Sequence, residues 1–331
     1  MLDTSPWTGL GSPRFAFERG LHDLGNNSFA WLQPDGGWGW SNAGLIVSGD
    51  ESLLVDTLFD LPNTREMLAA MKSAHNAAAD IDRLVNTHSN GDHTHGNELV
   101  AGAEIVASAT AAAEMEATTP AGLAALMRGA RENGGLVGDF LVECFGSFDF
   151  EGITHTLPSR TFEGQLTLTV GDKRVELTEV GPAHTGGDIM VHVPDDRTVF
   201  TGDILFIEGA PIIWAGPVQN WIDACDLLLS WDLETIVPGH GPITDNRGVE
   251  AMRAYLVYIR DEARKRYDAG LSARDAAFDI ALGDFESWGD SERIAINVDS
   301  LYREFSGDAG DRTHMQELFT RMAELAQARR G

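Results

Sequence analysis

The sequence predicts an α/β fold, and three observations point to it. Short apolar runs, such as residues 44–47 and 84–86, have the length and composition of buried strands. Stretches with helical spacing of apolar residues, such as residues 62–75, lie between these runs. Toward the C-terminus the strand pattern stops and long amphipathic stretches follow. We therefore expect an α/β core over residues 1–245 and a C-terminal helical appendage over residues 246–331.

The predicted elements follow in a regular order along the chain. Residues 44–47 and 52–55 flank a Ser-Gly-Asp turn and predict a β-hairpin. Further strands are predicted at residues 84–86, 104–106, 166–170, 175–180, 189–193, 198–201 and 235–237. Helices are predicted at residues 62–75, 109–131 with a break at Pro120, 221–231, 251–269 and 315–329. Residues 132–160 are rich in Gly and Phe with weak periodicity, so we expect an irregular covering segment there.

Charge narrows the classes of partner. The chain has 24 Lys plus Arg against 51 Asp plus Glu, a formal net charge of −27. Nucleic-acid-binding proteins usually carry a basic patch, and no basic run is present, so nucleic acid is not expected as a partner. An anionic membrane surface is disfavoured for the same reason. We expect a small-molecule substrate instead.

Hydropathy and cysteine usage favour a cytoplasmic protein. The apolar runs are much shorter than the ~20 residues of a membrane-spanning helix. The N-terminal residues lack the basic and apolar regions of a secretory signal. The two cysteines, Cys144 and Cys225, form no CxxC pair, so we expect buried thiols and neither a thiolate metal site nor a disulfide.

Four loops that follow predicted strands contain a concentration of His and Asp. They are THSNGDHTHGN at residues 87–97, GPAHTGGD at 181–188, FTGD at 200–203 and VPGHGP at 237–242. Loops at strand ends are where α/β proteins place their chemistry. Imidazole and carboxylate groups are the usual ligands of a divalent metal. The four loops therefore predict one metal centre.

The order of these motifs resembles the metallo-β-lactamase superfamily. The order is HxNxDH, then PAHTGGD, TGD and PGHG, within residues 20–245. This resemblance implies an αββα sandwich with a one- or two-metal site at the sheet edges. The stretch GGWGWSNAGLIVSGDESLLVDT at residues 36–57 and the PAHTGGD motif are most similar to a branch of bacterial hydrolases that includes aromatic-polyketide ring cyclases.

The resemblance also implies a set of ligands. His88 and His184 match ligands of the first metal, and Asp203 matches the carboxylate that bridges both metals. The remaining matches, all to ligands of the second metal, are Asp92, His93 and His240.

One ligand position departs from the family pattern. The family usually has a third first-site histidine two positions after His88, where this chain has Asn90. An amide oxygen is a weaker zinc ligand than imidazole. Three alternatives follow. Two metals bind, and Asn90 or water completes a weakened first site; or one metal binds in the second site; or a mononuclear iron is bound by two histidines and Asp203. We expect zinc, one or two ions per chain, with iron and manganese as alternatives.

The predicted function is that of a metal-dependent hydrolase. A bound metal would supply hydroxide at neutral pH and polarise a carbonyl. Asp92 would ligate and also orient the attacking water, and Asp203 would hold or bridge the metal. An ester, thioester or lactone of a partly apolar small molecule is the expected substrate. The alternatives are a polyketide-type cyclase or lyase, a mononuclear iron oxygenase and a metal-poor binding module.

Several residues near the motifs are candidates for substrate contact. They are Trp38, Trp40, His95, Phe206 and Trp214. Trp38 and Trp40 alternate with glycines, which suits either a flexible aromatic flap or a packed hairpin. The helical appendage would either cover the pocket, through residues such as Arg293, Asn297 and Tyr302, or form a contact in a homo-oligomer.

Overall fold

Two β-sheets face each other and are flanked by helices. The computed structural model describes residues 6–307 and 313–330. Within these residues the first sheet has seven strands in the order β1 to β7, and the second has five in the order β12-β11-β10-β9-β8. The strands of the first sheet are β1 Gly20–Gly25, β2 Ser28–Leu32, β3 Ala43–Ser48, β4 Glu51–Val55, β5 Arg83–Val85, β6 Glu104–Ser108 and β7 Arg160–Phe162. Those of the second are β8 Gln165–Val170, β9 Lys173–Glu179, β10 Ile189–Val193, β11 Thr198–Phe200 and β12 Thr235–Val237.

Strand direction places several loops at one edge. Strands β1 to β4 pair antiparallel, whereas β4 to β7 run parallel. In the second sheet β9 and β11 flank β10 antiparallel, and β11 pairs with β12 in parallel. Consequently the carboxyl ends of β4 and β5 lie at one edge of their sheet, and those of β9, β11 and β12 lie at one edge of theirs. The predicted ligand loops follow four of these five strands.

The helices cover both outer faces. They are α1 Leu61–Ala74, α2 Gly91–Thr94, α3 Ala109–Ala117, α4 Pro120–Asn133, α5 Gly135–Phe145, α6 Val218–Ser230, α7 Asn246–Asp268, α8 Ala273–Asp279, α9 Ile294–Ser306 and α10 Met315–Arg330. One buried cluster, which includes Ile46 and Val191, fills the space between the sheets. A second packs α1 on the first sheet through Met67 and Met71. Packing of this kind removes apolar surface from water on both faces of each sheet. The predicted αββα sandwich is confirmed.

The segment over residues 132–160 corrects one expectation. Instead of an irregular cover, it contains the helix α5, which buries Gly138, Leu141 and Phe145 on one face. Leu141 and Phe145 are large and apolar, but the third position, Gly138, has no side chain. The helical periodicity of apolar residues is therefore weak in the sequence. The predicted break at Pro120 is confirmed, since α3 ends at Ala117 and α4 begins at that proline.

The C-terminal helices pack directly on the core. A single hydrophobic cluster contains Trp221 of α6, Tyr255 of α7 and Leu301 of α9. The last helix, α10, contacts both α5 and α9, which brings it to the edge that carries the ligand loops. The division at residue 245 stays a prediction.

In the part of the chain that the structure describes, no helix combines the length and the apolar character needed to cross a lipid bilayer.

Candidate metal centre and its cavity

The ligand loops converge on the carboxylate of Asp203. Its Oδ1 lies 3.1 Å from Nε2 of His93. Its Oδ2 lies 3.2 Å from Nε2 of His184, 3.5 Å from that of His240 and 3.6 Å from that of His88. Four imidazole nitrogens from three loops therefore surround one carboxylate from a fourth loop. The side chain of Asp92 completes the arrangement, with Oδ2 3.3 Å from Nε2 of His240.

These side chains form two groups that could each hold a metal ion. In each group the candidate ligand atoms all lie within 4.8 Å of one another, and every residue is buried. The first group is His88, His184 and Asp203; the second is Asp92, His93 and His240. The division is the one that the motifs imply, and the central position of Asp203 lets its second oxygen face the second group.

Each histidine is held by its other ring nitrogen. In all four the Nδ1–H donates to an oxygen acceptor of the protein, which fixes the tautomer and leaves Nε2 facing the cluster. The acceptors are Thr87 Oγ1 for His88 at 3.0 Å, Asp56 Oδ2 for His93 at 2.9 Å, Ile212 O for His184 at 2.7 Å and Gly36 O for His240 at 3.1 Å. Preorganisation of this kind is typical of metal-ligating imidazoles.

Asp56 is a site residue that the sequence analysis did not single out. It follows β4 and adopts a left-handed backbone conformation with φ of 61°. The amide and the hydroxyl of Thr87 both donate to its carboxylate at 2.7 Å, while the ring of His93 contacts its Oδ2. The one sequence signal for a role of Asp56 in the site is its position directly after a predicted strand. It lacks a histidine neighbour, so no ligand spacing drew attention to it.

Burial and charge set the protonation of the cluster. Burial lowers the pKa of His184 to about 4, and it holds the pKa of His88 well below its usual value. Burial also opposes charge on His240, but the carboxylates of Asp203 and Asp92 outweigh it and raise the pKa of His240 to about 9. The pKa of His93 is raised in the same way, because three carboxylates overcome the effect of burial.

The donor set fits a divalent metal. Asp203 Oδ1 and His93 Nε2 are 3.1 Å apart but not in hydrogen-bond geometry. Among the described side chains, these two buried atoms and His88 Nε2 have no hydrogen-bond partner. An unpaired buried donor or acceptor costs about 1–3 kcal/mol, so native proteins rarely leave three together. Coordination would satisfy all three atoms. Imidazole nitrogen with carboxylate oxygen suits zinc, iron and manganese alike.

Asn90 lies beside the first group. Its amide nitrogen is 3.3 Å from Nε2 of His184, so the residue at the sequence position where the resemblance implies a histidine does lie next to the first group. The residue immediately precedes the short helix α2, which carries Asp92 and His93. The amide therefore faces the first group, next to the space that a first metal would fill.

A cavity of about 550 Å³ opens onto the cluster. Its floor includes Asn90, Asp92, His184, Asp203 and His240. This volume falls in the range of pockets that enclose drug-sized ligands. Four of the five predicted substrate-contacting residues line it: Trp38, His95, Phe206 and Trp214.

Trp40 is the exception among the predicted contact residues. Its ring packs on that of Phe148, with centroids 4.6 Å apart, and the guanidinium of Arg19 lies 5.8 Å from its centroid. The side chain is absent from the described lining of the cavity. Trp38 and Trp40 alternate across Gly39, and this turn directs only Trp38 toward the cluster.

Trp38 is packed in place by several groups. Its Nε1–H donates to Glu292 Oε1 at 2.8 Å, its ring meets Phe145 edge-on, and the guanidinium of Arg293 lies 4.2 Å from its centroid. Of the two interpretations of the Gly-Trp-Gly-Trp stretch, these contacts correspond to the packed hairpin.

The appendage contributes Arg293 to the cavity. Its guanidinium donates to Ala210 O at 2.8 Å and pairs with Asp290 at 2.9 Å. Asn297 and Tyr302 do not line the cavity. The amide of Asn297 instead accepts from Ile213 N at 2.8 Å, which supports the loop that follows β11.

Comparison with known proteins decides the family. The sequence model of the metallo-beta-lactamase superfamily matches residues 36–240, a range that contains every predicted metal ligand from His88 to His240. The chain belongs to this superfamily. No curated protein matches the sequence.

Solved structures of the superfamily share the fold. The inverting sec-alkylsulfatase Pisa1 from Pseudomonas sp. superposes with a TM-score of 0.66 at 16% identity, over 87% of this chain and 50% of the sulfatase. A metallo-beta-lactamase from Pontibacter korlensis superposes with a TM-score of 0.52 at 19% identity, over 72% of this chain and 99% of the lactamase. This chain thus spans half the length of the sulfatase. At such low identity the likeness shows the superfamily fold alone.

Proposed function

We propose that this protein is a metal-dependent hydrolase that uses a metal-activated water to cleave an ester, thioester or lactone carbonyl of a partly apolar small molecule. The observation that carries the proposal is the convergence of four imidazole Nε2 atoms on Asp203, which lies on the floor of the 550 Å³ cavity together with His184 and His240. A reactive centre and a space for substrate thereby occupy the same place.

A bound divalent metal supplies hydroxide near neutral pH and acts as a Lewis acid toward a carbonyl. The chain's own residues provide the geometry. His88 and His184 would hold the first ion, with Asn90 or water beside them. Asp92, His93 and His240 would hold the second, and Asp203 would lie between the two.

Asp92 is placed to handle the proton of the attacking water. Its side chain is 12% exposed and lines the cavity, whereas that of Asp203 is 3% exposed. One oxygen of Asp92 faces His240, and a carboxylate in this position can accept a hydrogen bond from water and orient it. The neighbouring charges of His93 and His240 overcome the effect of burial and keep the pKa of Asp92 well below its usual value, so that the carboxylate is ionised.

The walls of the cavity would give the reacting carbonyl partly apolar surroundings. The rings of Trp38, Phe206 and Trp214 surround the approach to the cluster. Phe206 stacks on the ring of His240, with centroids 5.0 Å apart and planes within 5°. Apolar walls of this kind strengthen electrostatic interactions inside the site and favour substrates with an apolar portion.

The test is hydrolysis by the metal-loaded protein. Purified protein with measured zinc, iron and manganese content would be incubated with panels of esters, thioesters, lactones and alkyl sulfates. We expect ester-type cleavage, with ¹⁸O from labelled water in the acid product. Asp92→Asn should lower kcat by about 100-fold or more, and Asp82→Asn, at the opposite end of β5, serves as the matched control.

Other outcomes would replace the proposal. An intact ester panel, together with conversion of a polyketide-like polyketone, would indicate the cyclase or lyase. One iron per chain with oxygen uptake would indicate the oxygenase. Failure of the protein to bind zinc, iron or manganese on titration would indicate the metal-poor binding module.

A further inference from the structure

The wall of the cavity opposite the metal cluster is made by two helices. Leu123 and Leu126 of α4 and Met315 and Phe319 of α10 line it. The Leu126 residue is 45% exposed and Met315 is 52% exposed, which makes them two of the most exposed large apolar residues that the structure describes. Both also line the cavity, so they form an apolar lip at its mouth. Exposed apolar side chains at one opening usually mark a contact surface.

The spacing of the lining residues along α4 shows that a single face of this helix forms its part of the wall. Thr119, Gly122, Leu123 and Leu126 all line the cavity. Their positions follow the spacing i, i+3, i+4 and i+7, which corresponds to a single face of an α-helix. Gly122 is the smallest residue on that face, and it leaves room where a side chain would otherwise project.

Among the described residues, Arg293 is the only arginine or lysine that lines the cavity, and only the Nε of its guanidinium lacks a hydrogen-bond partner. Arg293 pairs with Asp290 and donates to Ala210 O, and its guanidinium lies against the rings of Trp38 and Phe206. With these partners, the guanidinium of Arg293 holds the cavity lining in place and offers little free capacity to bind an anion. The wall therefore favours an uncharged group.

We propose that α4 and α10 form the specificity pocket for an uncharged apolar group of the substrate, either a fused aromatic system or an alkyl chain. The group would lie between Leu123, Leu126, Met315 and Phe319, with the reacting carbonyl at the metal cluster. This inference rests on the proposed function for the position of the carbonyl, while the pocket itself is defined by the lining residues. Gly122 is a specificity-determining residue because it sets the width of the pocket beside α4.

The experiment fills the pocket from Gly122. A Cβ at this position would meet only Thr119 Oγ1, at 3.5 Å, which is ordinary contact, so the helix backbone has room for a side chain to start there. Gly129 lies seven residues further along the same helix, outside the described lining, and a Cβ there would meet only Asn133 Nδ2, at 3.9 Å. Gly129→Leu is the matched control, because both changes replace a helical glycine with a better helix former.

Binding of the uncharged fluorophore N-phenyl-1-naphthylamine to the metal-loaded full chain is the readout. We expect Gly122→Leu to raise the probe Kd by about tenfold or more and Gly129→Leu to leave it within about twofold. Leu126→Glu, a change at an exposed position, should raise the Kd by about fivefold and covers the case in which Gly122→Leu does not fold.

Two results of the probe-binding assay would overturn the inference. One is absence of probe binding to the wild-type protein. The other is a Kd that neither Gly122→Leu nor Leu126→Glu changes relative to the control.

A chain-length series separates this inference from the proposed function. With p-nitrophenyl esters from acetate to decanoate, Gly122→Leu should lower kcat/KM for the long esters more than for acetate. Probe binding that responds to the variants, without hydrolysis of any ester, would refute the proposed function and keep the pocket. Hydrolysis that is equally fast for all chain lengths in all variants would refute the pocket and keep the function.

Discussion

The carboxylate of Asp56 lies 2.9 Å from Nδ1 of His93 and also accepts two hydrogen bonds from Thr87, at 2.7 Å each. The residue that follows Thr87 is His88. A single buried carboxylate thus orients His93, a ligand of the second group. Through Thr87 it also holds the start of the loop at the point where His88, a ligand of the first group, follows. Asp56 is a positioning residue, because it acts on the cluster only through these neighbours.

Replacement of Asp56 should weaken metal binding. Asn has nearly the same shape and tolerates the left-handed backbone of this position. It would accept fewer strong hydrogen bonds and would lose the charge that raises the basicity of His93. We expect Asp56→Asn to lower zinc affinity by about 10- to 100-fold, as measured by competition with a chromophoric chelator. Asp82→Asn is the control, and equal affinity of Asp56→Asn and wild type would contradict the role.

Asn90 should make the two metal sites unequal. The first group has two imidazoles, Asp203 and an amide, whereas the second has two imidazoles, Asp92 and the facing oxygen of Asp203. We expect calorimetric titration to show two zinc ions of different affinity. Asn90→His should strengthen the weaker one by about tenfold or more, because imidazole is the better zinc ligand.

An outcome with two equal sites that Asn90→His leaves unchanged would count against this assignment. Elemental analysis after dialysis provides a second readout: the substitution should raise the zinc content toward two per chain. A zinc content that stays at one in both proteins would favour a single metal at the second group.

Asp188 should make stability depend on pH. Burial raises the pKa of this carboxyl to about 7, although the amide and hydroxyl of Thr185 donate to it and oppose the shift. Between about pH 4 and 7 the folded state therefore binds more protons here than the unfolded state. The free energy of unfolding attributable to this group should fall as pH rises through that window, by up to about 1.4 kcal/mol per pH unit.

The matched comparison is Asp188→Asn, whose amide oxygen can still accept from Thr185 without ionising. In metal-free protein, urea unfolding at pH 5, 6, 7 and 8 should show the variant gaining stability relative to wild type as pH increases. A stability difference that is constant from pH 5 to 8 would refute the perturbed pKa.

Glu114 of α3 should stabilise two ligand loops at once. Its Oε2 accepts from Ser89 Oγ at 2.8 Å and its Oε1 accepts from Gly186 N at 3.0 Å. Glu114→Ala removes both contacts, so we expect zinc to dissociate about tenfold faster. Glu114→Gln, which keeps an acceptor for Gly186, should restore most of the retention.

The exposed Glu116 on the same helix provides the control, as Glu116→Ala. Dissociation would be followed by transfer of zinc to excess chelator in stopped flow. If Glu114→Ala and Glu116→Ala release zinc at the same rate, the proposed support of the loops is wrong.

The strands and the ligand loops could be predicted because their signals are local. The apolar run at residues 52–55 corresponds to β4 Glu51–Val55, and the run at 235–237 corresponds to β12. Loops that follow parallel strands meet at one sheet edge, so His and Asp at those positions come together once the strand order is known.

Other features depend on tertiary contacts that a sequence pattern does not show. Asp56 is a lone carboxylate, and its function appears only when His93 is found next to it. Trp38 and Trp40 look alike in sequence, but the turn at Gly39 sends only one of them to the cavity. The helix α5 was missed because one position on its buried face is occupied by Gly138, which has no side chain to mark the periodicity.

The metal cluster and the apolar wall that faces it come from separate stretches of chain. The ligands follow β5, β9, β11 and β12, whereas the wall comes from α4 and from α10, the last helix of the chain. Substitutions on these two helices can change the shape of the cavity while every histidine keeps its Nδ1 acceptor. In the hydrolase that we propose, mutations in these two helices would change the range of substrates and leave the chemistry unchanged, which makes α4 and α10 the natural targets for redesign.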